Sequence, residues 1–287
     1  MSLILKSPDL KLFAPIITGA SSLSSVFNLT ADGGLSFDAG AIDFNGTSSY
    51  VSYPNNLFGG WGWNTSGMTG GQTKGITVSL WIKPASGITS DSRRIVSHFK
   101  SSTSYGKEDN NILVTYDASG NARFTFSQQQ NSSGNEVLVQ SAFGDLTTDS
   151  WNHILLRISM NTSEQFTSQL YINDSNISHT AIPTGELESN SPDNDDTTWL
   201  GKFDEAVALG YYDGCLSELW IDDTIYDLSV QSNRRLFIDS SGKPVELPTS
   251  PLIYLNGSSS TWTNSGTYSL GTQTLNNITD CADSPSD

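Results

Sequence analysis

Apolar residues recur in this chain at every second position and almost nowhere at every third or fourth. Across residues 75–84, Ile76, Val78, Leu80 and Ile82 alternate with Thr77, Ser79, Trp81 and Lys83, which is the side-chain period of a strand. Pro84 ends that run, because a residue without an N–H cannot donate to a ladder. Residues 151–160 repeat the pattern, with Ile154, Leu156, Ile158 and Met160 on one face. Shorter runs at 94–99, 112–116, 122–127, 136–142, 169–172, 198–201 and 215–221 are bounded by Gly, Asn, Asp and Ser and predict further strands. Residues 117–121 carry hairpin-turn chemistry, with Gly120 and Asn121 able to accept positive φ. Leu216 interrupts the last run and predicts a bulge. Many short strands at this spacing predict an all-β chain, folded as a two-sheet antiparallel jelly-roll β-sandwich.

A chain of 287 residues with this pattern reads as one main domain with extensions. The sandwich is predicted over 36–230, after an N-terminal arm at 1–35 rich in Ser, Leu and Pro. Residues 231–250 read as a hairpin or linker turning at Ser240-Ser241-Gly242-Lys243, and 251–287 as a polar tail. The arm carries Leu3, Ile4, Leu5, Leu10, Leu12 and Phe13 and the tail Leu252, Ile253, Tyr254 and Leu255, apolar residues that water disfavours, so both are predicted to dock on a neighbouring surface.

Lys and Arg number 14 against 30 Asp and Glu, a formal charge of −16. Such a chain repels phosphates, and direct nucleic-acid binding is not expected. No run of about 18 apolar residues occurs, so no membrane insertion by a helix is expected. Residues 12–19 are too short, and too interrupted by Pro15, to predict an export signal. Cys215 and Cys281 are too few for a disulfide framework or a four-ligand zinc site, and are read as free thiols.

Residues 41–54, Ala-Ile-Asp-Phe-Asn-Gly-Thr-Ser-Ser-Tyr-Val-Ser-Tyr-Pro, resemble the opening strand pair of laminin-G-like, concanavalin A-like domains, where a Phe-Asp/Asn-Gly turn precedes a Tyr-Val strand. The order then continues. Residues 78–84 are similar to that family's aromatic strand ending in Pro, and 94–97 to its next strand. Trp151-Asn152-His153 is similar to its Trp-x-His strand, 170–173 to its Leu-Tyr-Val-Asp-Gly strand, and 212–221 to its closing strand. The pattern departs at Asn173, which no glycine follows. The resemblance covers residues 36–230. It requires no cofactor, and it implies that a structural calcium held by Asp, Asn and backbone oxygens is to be looked for. In the tail, Pro251–Gly257 and Trp262–Gly266 resemble the C-terminal segment of virion proteins of tailed phages. That implies a protein made in the host cytoplasm and displayed on the virion surface, in capsid or tail, against other virion proteins or copies of itself.

Glucanases of this fold carry Glu-x-Asp-x-x-Glu on one strand, which sets carboxylates beside a glycosidic bond. The triplet is missing here. Glu218, Trp220 and Asp222 would share a face of a regular strand, read as a solvated face. His98, His153 and His179 lie in separate elements, and His153 holds the structural Trp-x-His position, so no catalytic residue is assigned and no enzyme is expected. The calcium candidates are Asp193, Asp195 and Asp196, in a cluster without the following Gly and distal Glu of a calcium loop, and Asp213. Sugar recognition needs aromatic platforms beside hydrogen-bonding groups. Trp61, Trp63 and Asn64 in a Gly-rich loop, with Tyr105, Trp199, Tyr211 and Tyr212 near strand ends, are its candidates. The same rings could instead plug the ends of the sandwich or a subunit contact. The expectation is a non-enzymatic bacteriophage virion surface protein, a capsid decoration or tail or fibre component. The alternative is a host-glycan-binding adhesin, with a glycan depolymerase least favoured.

Overall fold

The computed structural model describes residues 27–29, 35–37, 40–55, 57, 73–102, 106–130, 135–161, 166–184, 197–203, 210–248 and 250–287. They belong to two units, divided after Asp38. The described part of the first is an antiparallel ribbon of β1 (Phe27–Leu29) and β2 (Leu35–Phe37), with Phe27 opposite Phe37.

The second unit begins with β3 (Ala41–Asn45), β4 (Tyr50–Tyr53), β5 (Thr73–Pro84) and β6 (Ser92–Ser102). It continues through β7 (Gly106–Tyr116), β8 (Ala122–Gln130), β9 (Asn135–Gln140), β10 (Asn152–Asn161) and β11 (Phe166–Ile172). Next come β12 (Ser175–Asn176), β13 (Thr180–Thr184), β14 (Thr198–Leu200) and β15 (Asp213–Asp222). A single helical turn, α1 (Gln231–Arg234), precedes β16 (Ile253–Asn256), β17 (Thr263–Asn264), β18 (Thr274–Asn276) and β19 (Thr279–Asp280).

Among the described residues one sheet runs β12-β11-β10-β5-β15-β16-β17, with β3 paired to β15 and β19 to β3. The other runs β13-β9-β8-β7-β6-β14-β4-β18. Every pairing of these strands is antiparallel, as the alternation predicts. The predicted inward residues meet between the sheets. Ile76, Val78, Leu80, Ile82, Ile154, Leu156 and Ile158 are fully buried, facing Val96, Ile112, Val114 and Phe124 of the second sheet.

The opposite face of β5 and β10 is buried too. Residues 223–248 lie over it, and Leu228, Phe237 and Leu247 pack on Trp220, Leu155 and Tyr171. The predicted linker is thus a cover with a small core of its own. Asp174 ties it down by accepting from Arg234 Nε at 2.5 Å and Arg235 Nη2 at 2.6 Å. Asn173 and Asp174 take φ of 50° and 62°. Asn and Asp tolerate that left-handed region, so the turn forms without the family's glycine. Asn173 Oδ1 also accepts the His153 N–H at 2.8 Å.

Four expectations are corrected. Residues 251–287 are not a separate docking tail. β16 pairs β15, β18 pairs β4 and β19 pairs β3, while Trp262 and Leu270 enter the core between the sheets. The run 252–255 thus finds its apolar surface on its own sandwich. The two cysteines are not free thiols, since Cys215 and Cys281 form a disulfide with Cα atoms 6.0 Å apart. The bulge of β15 falls between Ser217 and Trp220, not at Leu216, and Glu218 sits in it with φ 52°. In the 117–121 turn Gly120 alone takes positive φ, and the Asn121 N–H donates to Asp117 Oδ1 at 2.9 Å.

Candidate functional site

At one end of the sandwich an open cleft of about 810 Å3 is lined by Gly46, Thr47, Ser90–Arg94, Thr115, Tyr116, Gly210 and Tyr211. Three turns meet there. The first follows Asn45, whose Oδ1 accepts the N–H of Thr47, Ser48 and Ser49 at 3.0, 2.9 and 3.1 Å. Gly46 is required in it, because its φ is 71° and a Cβ there would stand 2.7 Å from Asp213 Oδ2. The second is the start of β6. The third, Gly210–Tyr211, crosses β6 through a parallel bridge between Arg94 and Tyr211.

Arg93 clamps all three. Its Nη1 donates to Gly46 O at 3.2 Å and Tyr211 O at 2.9 Å, while Nη2 pairs with Asp91 Oδ2 at 2.9 Å. Arg94 lays its guanidinium 4.4 Å from the Phe203 ring centre and donates to Ser92 O at 3.4 Å. Tyr211 is half-buried and lines the cleft together with Ser92 and Thr115. A half-exposed ring, an arginine and a row of hydroxyls suit a hydroxyl-rich ligand with an apolar face.

Asp91 lines the cleft, but its Oδ1 accepts the Ser92 N–H at 2.7 Å and its Oδ2 faces Arg93. Behind the cleft wall burial pushes Asp213 up, with Arg93 pulling it down and Asp149 pushing it further up. Burial and the Asp213 charge raise Asp43 as well.

The aromatic candidates divide. Tyr211 lines the cleft. Tyr212 is a core residue, fully buried, its hydroxyl donating to Cys215 O at 3.2 Å and its ring edge-on to Phe44. It is therefore not the exposed platform expected. Trp199 is not an open platform either, being 9% exposed under Lys202 Nζ, which stands 3.6 Å from its ring centre and 4.3 Å from that of Tyr50. Trp61, Trp63, Asn64 and Tyr105 lie outside the described residues, as do the calcium candidates Asp193, Asp195 and Asp196. Among the described residues no three His, Cys, Asp or Glu side chains converge as a metal would need, Asp213 included. Sequence reasoning missed Arg93, Arg94 and Asp91, and no periodic signal marks them.

The carboxylate expected on a solvated face is also corrected. Glu218 is 2% exposed, its carboxyl bonded to the Tyr254 hydroxyl. The bulge swings it under the cover, and burial pushes it up to about 8. Ser79 Oγ and His153 Nε2 lie 2.9 Å apart, an arrangement that could activate a hydroxyl. Both residues are only 1% exposed beneath Trp81 and the 223–248 cover, where no substrate reaches them, and burial pushes His153 down to about 3. The pair is structural.

A family model described as the concanavalin A-like lectin/glucanases superfamily matches residues 45–226, more than half of the chain. No curated protein matches. Solved structures give distant likenesses. The Ruminococcus gnavus IT-sialidase CBM40 bound to alpha2,3-sialyllactose is 9% identical at a TM-score of 0.44, over 66% of this chain and 93% of that one. The alginate lyase vAL-1 from Chlorella virus is 14% identical at 0.36, over 70% and 90%. Tailspike protein 2 of an Escherichia coli O157:H7 bacteriophage is 12% identical at 0.38, over 73% and 27%. What those proteins bind or cut is theirs.

Proposed function

This chain belongs to the concanavalin A-like lectin/glucanase superfamily, and on that footing we propose that it is a non-enzymatic glycan-recognising protein displayed on a bacteriophage particle. The observation that carries the recognition part is the cleft between Thr47, Ser92–Arg94 and Tyr211. Its backbone is pinned by Arg93 before any ligand arrives, so little ordering is left to oppose binding. The Tyr211 ring offers a face for a sugar ring, and Arg94, Ser92 and Thr115 offer donors. The non-enzymatic part is supported by the state of Asp91, whose two oxygens are engaged by Ser92 and Arg93, and by a sequence without the glucanase carboxylate triplet.

The particle setting is supported by the resemblance of Pro251–Gly257 and Trp262–Gly266 to the C-terminal segment of phage virion proteins. A charge of −16 suits display at high local concentration. On a particle the partners are other virion proteins of capsid or tail, further copies of this chain, and a glycan of the host surface. The experiment is in two arms. Titration of the purified chain with host surface polysaccharide tests recognition, and quantitative mass spectrometry of purified particles tests display, with hundreds of copies meaning capsid and a few to tens meaning tail.

A further inference from the structure

The Cys215–Cys281 bond joins the central strand β15 to the residue that follows β19. After β18 the chain crosses from one sheet to the other and lays β19 along the outer edge of β3, Thr279 opposite Asp43 and Asp280 opposite Ile42. The Cys281 N–H then donates to Ala41 O at 3.2 Å. Besides the disulfide, the strap is held by the Ser259 N–H donating to Asp280 Oδ1 at 2.6 Å, the Ser49 hydroxyl donating to Asn277 O at 2.5 Å, a short ladder and one surface ion pair. β19 is two residues long, and the Lys83–Asp283 ion pair is partly open to water, with side chains 24% and 41% exposed. Exposed pairs of that kind contribute little.

We infer that the strap is an oxidation-dependent clamp: in the dithiol form it leaves the β3 edge, and formation of the Cys215–Cys281 bond locks it there. The two sulfurs are unequal in a way that orders the steps. Each sulfur has a carboxylate beside it, Cys215 Sγ 3.7 Å from Asp43 Oδ1 and Cys281 Sγ 3.6 Å from Asp283 Oδ1, so burial makes the difference: Cys215 is 5% exposed, which disfavours its thiolate. Cys281 is half-buried at the surface. The Cys281 thiolate attacks one sulfur of a small-molecule disulfide and expels one thiolate, giving a mixed disulfide. Cys215 loses its proton and attacks the Cys281 sulfur, expelling the second thiolate. One small disulfide is reduced to two thiols and the protein dithiol is oxidised to one cystine.

The unlocked state uncovers the backbone edge of β3, so the clamp also decides whether that edge is open to pairing. Nothing in this depends on glycan recognition in the cleft.

Hydrogen exchange on the full chain, fully reduced against oxidised with glutathione disulfide, tests it. Amides of Ala41, Asp43, Thr279 and Cys281, which face across the β3–β19 pairing, are expected to exchange at least tenfold faster when reduced, while amides of β5 and β10 stay protected. The double variant Cys215→Ser/Cys281→Ser should match the reduced protein under both conditions. Equal protection of β3 and β19 in both forms overturns the clamp, as does loss of β5 and β10 protection on reduction, which makes the bond a condition of the whole fold. Failure of the dithiol to close in excess glutathione disulfide overturns it too.

Discussion

Glu218 and Tyr254 face each other across adjacent strands of one sheet, a carboxyl against a phenol, with the carboxyl 2% exposed. The native state keeps a proton on Glu218 up to about 8, while an unfolded chain loses it near 4.5, and the cause is burial. The unfolded state therefore binds fewer protons across that window, and stability falls as pH rises through it. One proton corresponds to about 1.4 kcal/mol per pH unit. Glu218→Gln keeps the shape and removes the titration, so denaturant melts between pH 5 and 8 should show a flatter alkaline decline in the variant. Parallel curves would refute this.

His153 works in the opposite direction. Its folded value is pushed down to about 3 by burial against an ordinary 6.5, so below 6.5 the unfolded chain takes up a proton that the native ring refuses. Stability is lost as pH falls from 6.5 toward 3, again by about 1.4 kcal/mol per unit for one proton. Burial pushes Asp174 up, but the hydrogen bonds and charges of Arg234 and Arg235 together outweigh it and hold it below the ordinary value, so it loses its contribution in the same direction. His153→Gln is expected to be less stable at neutral pH, because the Ser79 contact changes, yet to fall less steeply on acidification. An unchanged acid slope tells against the assignment.

Residues 251–287 are part of the fold. Trp262 is 1% exposed and donates from Nε1 to the Tyr53 hydroxyl at 3.2 Å, and Tyr53 in turn donates to Gln273 Oε1 at 3.1 Å. Trp262→Ala should cost about 3–5 kcal/mol, the usual loss for a large aromatic removed from a core. Deleting 251–287 should unfold the sandwich, since it strips strands from both sheets. Urea melts of both variants check this, and a truncated chain that melts like the full one contradicts it.

The long strands were legible because β5 and β10 each offer enough alternating positions to set a period, and they pair over Asn152–Asn161 opposite Ile82–Thr73 as that pattern demands. β16 to β19, at two to four residues, offer too few, so a segment that completes both sheets read as a polar tail. The disulfide spans 66 residues with no spacing that announces it. Glu218 was misread because the face it shares with Trp220 lies under residues 223–248, and no local pattern tells which face a later segment will cover. The cleft escaped for a different reason. Thr47, Ser92–Arg94 and Tyr211 come from three turns, and turn chemistry tells where the chain reverses, not which reversals meet. Of the seven aromatic and amide candidates Tyr211 alone, among the described residues, is found at the cleft.

Recognition in that cleft is the central claim, and Tyr211 tests it most directly. Tyr211 lines the cleft, and its carbonyl, not its side chain, receives Arg93. Tyr211→Ala should therefore leave the clamp and the melting temperature in place. Calorimetric titration with host surface polysaccharide should show binding by the unaltered chain and a loss of roughly tenfold or more in the variant, about 1.4 kcal/mol. Equal affinity of the two chains, with both folded, would contradict the account.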